Sequence, residues 1–115
     1  MPFEKLEYAS ITRGYSEKII VDKDSVSSFQ NNQKILSVKV TDKIIFTLKG
    51  VLKDIAISDL NQLSIPSEKF QSDQAMYSTL EIVRNEKTFK TRGFDNDNPP
   101  KELSPLLLYL EQLIK

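Results

Sequence analysis

The sequence contains no cysteine and no histidine. The absence of cysteine excludes disulfides, thiolate metal sites and a cysteine nucleophile, although it does not indicate a cellular compartment. The absence of histidine removes the commonest general base and the commonest zinc ligand. The three glycines, Gly14, Gly50 and Gly93, are too scattered to form a loop that cradles a phosphate. These absences disfavour an enzyme, and we expect no catalytic residue, no cofactor and no metal ion.

Long apolar runs and an excess of charge are missing as well. The longest apolar candidates, Pro105–Leu110 and Ile44–Phe46, are far shorter than the ~18–20 residues that a helix needs to cross a bilayer. Sixteen basic residues balance sixteen acidic residues, so no long-range field attracts phosphate backbones or anionic lipids. We therefore predict no transmembrane segment and no nucleic-acid partner. The lysines between Lys34 and Lys53 are interpreted as the solvated flank of a strand and a helix.

What is present is typical of an ordinary folded protein, with 39% hydrophobic and 28% charged residues. At 115 residues we expect a single domain, 1–115, that buries roughly two-thirds of its unfolded surface. No internal repeat, linker or low-complexity tract interrupts it. The first residues lack the charged and apolar regions of a secretion signal. We expect either a cytosolic protein or a mature chain whose export signal was replaced by a start methionine.

The chain before Thr41 has the alternating pattern of β-strands joined by polar turns. Ile19-Ile20-Val21 is apolar on both faces and predicts a central strand, whereas the serines after Val26 favour an edge strand. Asn31-Asn32 suits a tight hairpin, because asparagine tolerates positive φ. The predicted strands of this antiparallel meander are Leu6–Thr12, Glu17–Val21, Val26–Gln30 and Lys34–Val40.

At Thr41–Ala56 the apolar period changes from strand-like to helical. Thr41 or Asp42 is a suitable N-cap. A strand over Ile44–Leu48 is the competing interpretation, because alternate residues there are also apolar and Gly50 costs about 1 kcal/mol inside a helix. The apolar stripe that favours the helix consists of Ile44, Ile45, Leu48, Val51, Leu52 and Ile55.

The second half predicts a hairpin and a closing helix. Ile57–Leu63 is either a short helical turn or an extended connector, and Ser67–Gln74 is a polar loop. Ser104 followed by Pro105 predicts the start of the closing helix. The predicted hairpin strands are Met76–Arg84 and Lys87–Phe94, around Asn85-Glu86. The sequence thus predicts an α+β fold: a single antiparallel sheet, made of a four-strand meander plus a C-terminal hairpin, with two helices packed on one face.

Several of these features resemble a group of small Bacteroidetes proteins that often look like exported lipoproteins. The resemblance rests on Ile65-Pro66-Ser67, on Asp73, and above all on Phe94-Asp95 and Asn98-Pro99-Pro100 before an apolar helix. It implies the α+β fold and favours a periplasmic or envelope-anchored location, and the group has no activity to transfer. This chain departs from the group's pattern at Gln74, Phe89 and Thr91, where glycine, tyrosine and serine are expected. These changes remove polar atoms from a possible surface site.

Two acidic positions are candidates for ion binding or catalysis. Asp95-Asn96-Asp97-Asn98 offers a dense set of oxygen ligands for a hard cation, but it lacks the glycine and the distal glutamate of a calcium loop. Asx-rich turns before prolines also serve as simple turn and capping structures. Asp73 and Asp95 flank the same predicted hairpin and could act as paired carboxylates. A small metal-dependent or carboxylate-based hydrolase using Asp73, Asp95 and Asp97 is therefore an alternative function.

Tyrosine and arginine suggest an interaction surface, because both are favoured at interface hot spots. We predict that they gather on one exposed face of the sheet, and the residues concerned are Tyr8, Arg13, Tyr15, Tyr77 and Arg92. The leading hypothesis is accordingly a non-enzymatic domain that binds a protein or another envelope component, through this face or through the loop before the last helix. A third possibility is an inhibitor-like protein that inserts Ser67–Gln74 into the cleft of another enzyme.

Overall fold

The computed structural model describes residues 1–114, and within them seven strands form one antiparallel sheet beside two α-helices. The strand order is β4-β3-β2-β1-β5-β6, and β7 pairs with β5 as well. The strands are β1 (Lys5–Thr12), β2 (Tyr15–Val21), β3 (Ser25–Gln30), β4 (Gln33–Lys39), β5 (Tyr77–Arg84), β6 (Lys87–Lys90) and β7 (Phe94–Asp95), and the helices are α1 (Asp42–Leu52) and α2 (Ser104–Leu113). The predicted α+β fold, with a four-strand meander followed by C-terminal strands, is confirmed.

The register defines two faces of the sheet, because residues paired directly across antiparallel strands point to the same side. Val26, Val21, Leu6 and Ile82 form one continuous row across four strands, and all four are fully buried. Both helices cover this row, so we call its side the helix-bearing face. The opposite side is the open face. Core residues contributed by the helices are Ile44, Leu48, Leu52, Leu106, Leu107 and Leu110.

Residues Ile44–Leu48, for which a helix and a strand were both possible, lie in helix α1. The Thr41 hydroxyl accepts a hydrogen bond from the Ile44 amide at 3.3 Å, which confirms Thr41 as the N-cap. The helix ends at Leu52, four residues before the predicted Ala56. The Lys53 amide bonds to the Gly50 carbonyl, three residues back, which tightens and closes the last turn.

The prediction that the third strand lies at an edge is wrong. Strand β3 pairs with β2 on one side and β4 on the other, so β4 is the edge. The serines of β3 are compatible with this inner position because their hydroxyls find partners; Ser27, for example, is buried and bonds Ser37 of β4 at 3.1 Å. The turns fit the prediction better. Asn31 and Asn32 both adopt positive φ, as a tight hairpin requires.

The predicted last strand, Lys87–Phe94, is interrupted. Strand β6 ends at Lys90. Beyond it, the Thr91 amide still donates to the Leu80 carbonyl at 2.9 Å, but the Leu80 amide donates to the Thr91 hydroxyl, at 3.0 Å, and not to the Thr91 carbonyl. The chain passes Gly93, where a Cβ atom would lie only 2.0 Å from the Tyr77 ring. It returns to the sheet as β7 at Phe94. A side chain at position 93 would therefore force the Tyr77 ring to move.

The connectors complete the fold. Ile57–Gln62 is a 3₁₀ helix lying against β6, which resolves the choice left open for that segment. A further 3₁₀ turn, Lys69–Ser72, lies inside the predicted polar loop. Ser104 is not the cap of the closing helix, because it already has helical φ and ψ and follows the 3₁₀ turn Lys101–Leu103. That turn occupies the place of a side-chain cap, and Pro105 lies in the first turn of α2.

Candidate functional site

Asp95 is a fully buried carboxylate that holds the loop between Pro66 and Asp73 against the sheet. Its Oδ2 atom accepts hydrogen bonds from the Ser67 hydroxyl and, at 2.9 Å, from the Lys69 amide. Its Oδ1 atom accepts a third, from the Phe70 amide at 2.8 Å. These donors include the backbone amides that start the 3₁₀ turn Lys69–Ser72. Asp95 therefore caps this turn from a distant part of the chain.

The same contacts set the charge state of Asp95. Burial raises the pKa of this carboxyl, but the hydrogen bonds from Ser67, Lys69 and Phe70 and the nearby Lys69 ammonium outweigh burial, and the pKa lies below its usual value. Asp95 is thus ionised at neutral pH. A general acid needs the opposite shift, so this geometry favours a structural role.

The other two aspartates form separate ion pairs. Asp97 lies 2.9 Å from the Lys69 ammonium, and Asp73, in the left-handed conformation at the end of the 3₁₀ turn, lies 3.2 Å from Arg13 of the β1–β2 turn. Both pairs are solvent-exposed. Asp73 and Asp95, predicted as a possible pair, thus bind different partners. Within residues 1–114, no three acidic side chains come together closely enough to hold a metal ion.

The predicted tyrosine and arginine surface does not form, because the strand register divides its members. Tyr8 is buried on the helix-bearing face. Tyr77 pairs with Ile11 and Asp95 on the open face, where its ring meets Phe70 edge-on at 5.0 Å. Arg92 is exposed, and its guanidinium donates to the Leu63 carbonyl at 3.5 Å. Arg13 pairs with Asp73, and Tyr15 donates to Glu17 at 3.1 Å.

A groove of about 340 Å³ lies on the helix-bearing face. It lies where the helices leave the sheet uncovered, between strands β1 to β4 and the C-terminal end of α2. This volume is at the lower end of the range for small-ligand sites. The groove is lined by Tyr8, Ser10, Glu17, Lys18, Ile19, Ser28, Phe29, Gln30, Ile35, Glu111 and Ile114. We refer to it as the α2 groove.

Tyr8 marks the junction between the α2 groove and the core. Its ring is parallel to that of the fully buried Phe94, with centroids 6.4 Å apart. Burial raises the pKa of its hydroxyl; interactions with Ser10 and Ser78 oppose this rise, and the carboxylates of Glu111 and Glu17 add to it. Two carboxylates therefore act on the hydroxyl end of one tyrosine. Apolar side chains, polar groups and charged groups of both signs line this groove.

The sequence contained a signal for the α2 groove that pattern analysis missed. On β1, the buried positions Leu6 and Tyr8 are followed by Ser10, and on β2, Val21 and Ile19 are preceded by Glu17. The inward positions thus become polar toward one end of the strands. Such a change predicts that the core stops there. Only the pairing of the strands shows that these polar ends meet.

Comparison with known proteins identifies no relative: no protein-family model matches the chain, and no curated protein is similar to it. Within residues 1–114, neither α1 nor α2 has the length and apolar character needed to cross a membrane.

Proposed function

We propose that this domain is a non-enzymatic binding module that docks a segment of a protein partner in the α2 groove. One observation carries the proposal: the helix-bearing face of the sheet is left uncovered at one end, where it forms a groove with an apolar and polar lining. Ile35 at its rim is 55% exposed. A partner segment seated there would cover this side chain and extend the core that the two helices leave incomplete.

The rest of the molecule supports this choice over the acidic loop. The carboxylates of Asp73, Asp95 and Asp97 already have partners within the chain. Loop Ser67–Gln74 is held against the sheet by Asp95 and by the contact of Phe70 with Tyr77. The hydrolase and inhibitor hypotheses stay predictions, because the contacts described for these aspartates and this loop are with other parts of the chain.

The test is peptide selection followed by mapping. Random extended peptides displayed on phage are selected on the purified domain, and the peptides obtained are titrated into ¹⁵N-labelled protein. We expect chemical-shift changes at Ser10, Ile19, Ser28 and Ile114. Changes confined to the loop 67–74, or a selection that enriches no peptide, would contradict the proposal.

A matched pair of variants makes the mapping decisive. Ser28 and Ser16 lie on neighbouring strands but on opposite faces of the sheet, because Ser28 pairs with Ile19 and Ser16 with Ile11. Ser28→Tyr fills the groove and should weaken peptide binding at least about tenfold, the equivalent of about 1.4 kcal/mol. Ser16→Tyr makes the same change on the open face and should leave binding unchanged.

The resemblance to lipoprotein-like Bacteroidetes proteins favours a location in the cell envelope. We infer that the partner is an envelope component. Cell fractionation of the native protein, with intact-mass measurement, tests this part separately. Recovery of the protein in the soluble cytoplasm would remove the envelope from the proposal and leave the groove in place.

A further inference from the structure

We propose that the partner segment continues from the α2 groove along the outer side of β4 as an added strand, in which acidic and apolar residues alternate. This inference rests on the proposed function, which supplies the segment, and Ile35 of β4 lines the groove. Every residue of β4 is exposed except Val38, which is half-buried. Within residues 1–114, β4 pairs with β3 alone. Its other side is therefore accessible to a further strand.

The strand register shows which backbone groups of β4 point away from the sheet. Just beyond β4, the Val40 amide donates to the carbonyl of Asp24, the residue before β3, at 3.0 Å. Successive residues of a strand direct their amide and carbonyl groups to opposite sides, and the register is regular over this part of β4. Val38 therefore bonds to β3, as Val40 does, whereas Ser37 and Lys39 direct their amides and carbonyls outward.

The pairing of β3 gives the same direction independently. Ser37 and Lys39 lie opposite Ser27 and Ser25. The Ser25 carbonyl accepts a hydrogen bond from the Asp22 amide, at the end of β2, at 3.0 Å. Because these serines direct their backbone groups to β2, their partners on β4 do not bond to them. The outer side of β4 thus offers two amides and two carbonyls in a row, as required for the addition of a strand.

One face of β4 favours apolar residues in the added strand. Leu36 and Val38 lie on the helix-bearing face, where Val38 pairs with the fully buried Val26. Leu36 is 40% exposed. Apolar side chains on an added strand would lie directly beside these two residues and cover them. The row of apolar residues on this face would then continue by one strand.

The other face of β4 favours acidic residues. Lys39 follows Val38, and Lys34 pairs with Phe29, so both lysines lie on the open face. The Lys34 ammonium lies 5.9 Å from the centre of the Phe29 ring. Neither β3 nor β4 contains an acidic residue. A second copy of β4 would bring more positive charge to this edge, whereas an acidic strand would place opposite charges side by side.

The probes are heptapeptides with blocked ends: the alternating peptide Glu-Val-Glu-Val-Thr-Val-Glu, its charge-reversed form Lys-Val-Lys-Val-Thr-Val-Lys, and the block peptide Val-Val-Val-Thr-Glu-Glu-Glu. Each is titrated into the ¹⁵N-labelled full chain. The alternating peptide should bind at least about fivefold more tightly than the other two. At about ten times its Kd, it should slow hydrogen exchange of the Ser37 and Lys39 amides about tenfold. Exchange of the Val38 amide, already bonded to β3, should not change.

The matched variants are Ser37→Pro and Ser37→Ala. Both remove the hydroxyl that bonds Ser27. Proline also removes the outward amide, and a strand edge tolerates this change because no bond to β3 is lost. Ser37→Pro should weaken binding of the alternating peptide at least about tenfold, whereas Ser37→Ala should preserve it. The folded state of each variant is checked by its ¹⁵N spectrum, and the exchange measurement on the wild type tests the same amide without a substitution.

Three results would overturn the inference: equal binding of the three peptides, unchanged exchange of the Ser37 and Lys39 amides, or equal effects of the two variants. The peptides selected on phage separate the inference from the proposed function. If they shift Ser10 and Ile19 in the groove without protecting these two amides, the proposed function stands and the inference fails. If the alternating peptide protects the amides while selected peptides map outside the groove, the added strand stands and the proposed function fails. Protection by groove-binding peptides supports both.

Discussion

The two edges of the sheet differ in what lies beside their outermost strands. Beside β5 and β6, the 3₁₀ helix Ile57–Gln62 lies along the edge, and the buried carboxylate of Asp95 fixes the neighbouring loop to β7. At the other edge, β4 pairs only with β3, and Ile35 and Leu36 are 55% and 40% exposed. We call these the closed edge and the open edge. The closed edge therefore contacts other parts of the chain, whereas the open edge leaves two large apolar side chains exposed.

Loss of a large side chain should show this difference most strongly. Phe94 of β7 is fully buried, so Phe94→Ala should reduce the free energy of unfolding by about 3–5 kcal/mol. Ile35→Ala on β4 removes a half-exposed side chain and should cost less than about 1 kcal/mol. Urea unfolding followed by circular dichroism measures both. Similar losses in the two variants would show that the two edges contribute equally.

Acidic pH should destabilise the closed edge, because it protonates Asp95. Asp95 has a lowered pKa in the folded state, so its contribution to stability is present above its unfolded pKa of about 3.9 and is lost as the pH falls through the folded value. Asp95→Asn places an amide against backbone donors and should lower the melting temperature at pH 7 by at least about 5 °C. Its stability should then decrease less steeply than that of the wild type as the pH falls below about 4.

Asp97→Asn is the control for this experiment, because Asp97 belongs to the same loop but forms an exposed ion pair with Lys69. Such pairs contribute little, so its melting curve should follow that of the wild type at every pH. Asp22, whose pKa is lowered by the Asp24 and Ser25 amides, is present in all of these proteins and affects them equally. A steep acid transition that persists in Asp95→Asn would exclude Asp95 as its source.

The sequence predicted what short-range patterns determine. The apolar stripe of α1 and the paired residues at Asn31-Asn32 act within one helix or one turn, and both predictions agree with the structure. The contacts of Asp95 with Ser67, Lys69 and Phe70 span 25 to 28 residues. No local pattern indicates such pairs. The aspartates could therefore be identified as candidates, but their structural use could not.

The position of β4 illustrates the same limit. The alternation of polar and apolar residues along a strand reflects which face of the sheet each residue occupies. Whether that strand lies at an edge depends on which other strands pair with it. The serines of β3 suggested an edge, and the pairing of Ser27 with Ser37 shows how an inner strand accommodates them. The α2 groove depends both on strand order and on contacts between distant parts of the chain, since it forms only where β1 to β4 meet the end of α2.

The smallest expected effect on stability concerns how the open edge avoids self-association. Lys34 and Lys39 lie on β4, and the register shift between Ser28 and Phe29 leaves Ile35 unpaired as a β-bulge. Charged residues and bulges are common protections of an exposed strand edge. Lys34→Val with Lys39→Val should change the free energy of unfolding by only about 0.5 kcal/mol. The protein should nevertheless form dimers or larger species as its concentration rises, as measured by sedimentation velocity.

The matched double variant at the closed edge is Lys87→Val with Lys90→Val, which makes the same change of charge on β6. Because the 3₁₀ helix Ile57–Gln62 lies along that strand, this variant should stay monomeric. If both variants associate, the lysines act through net charge rather than at the open edge. If only the β4 variant associates, and peptides selected for the α2 groove reverse the association, the edge of β4 and the groove beside it form one binding surface.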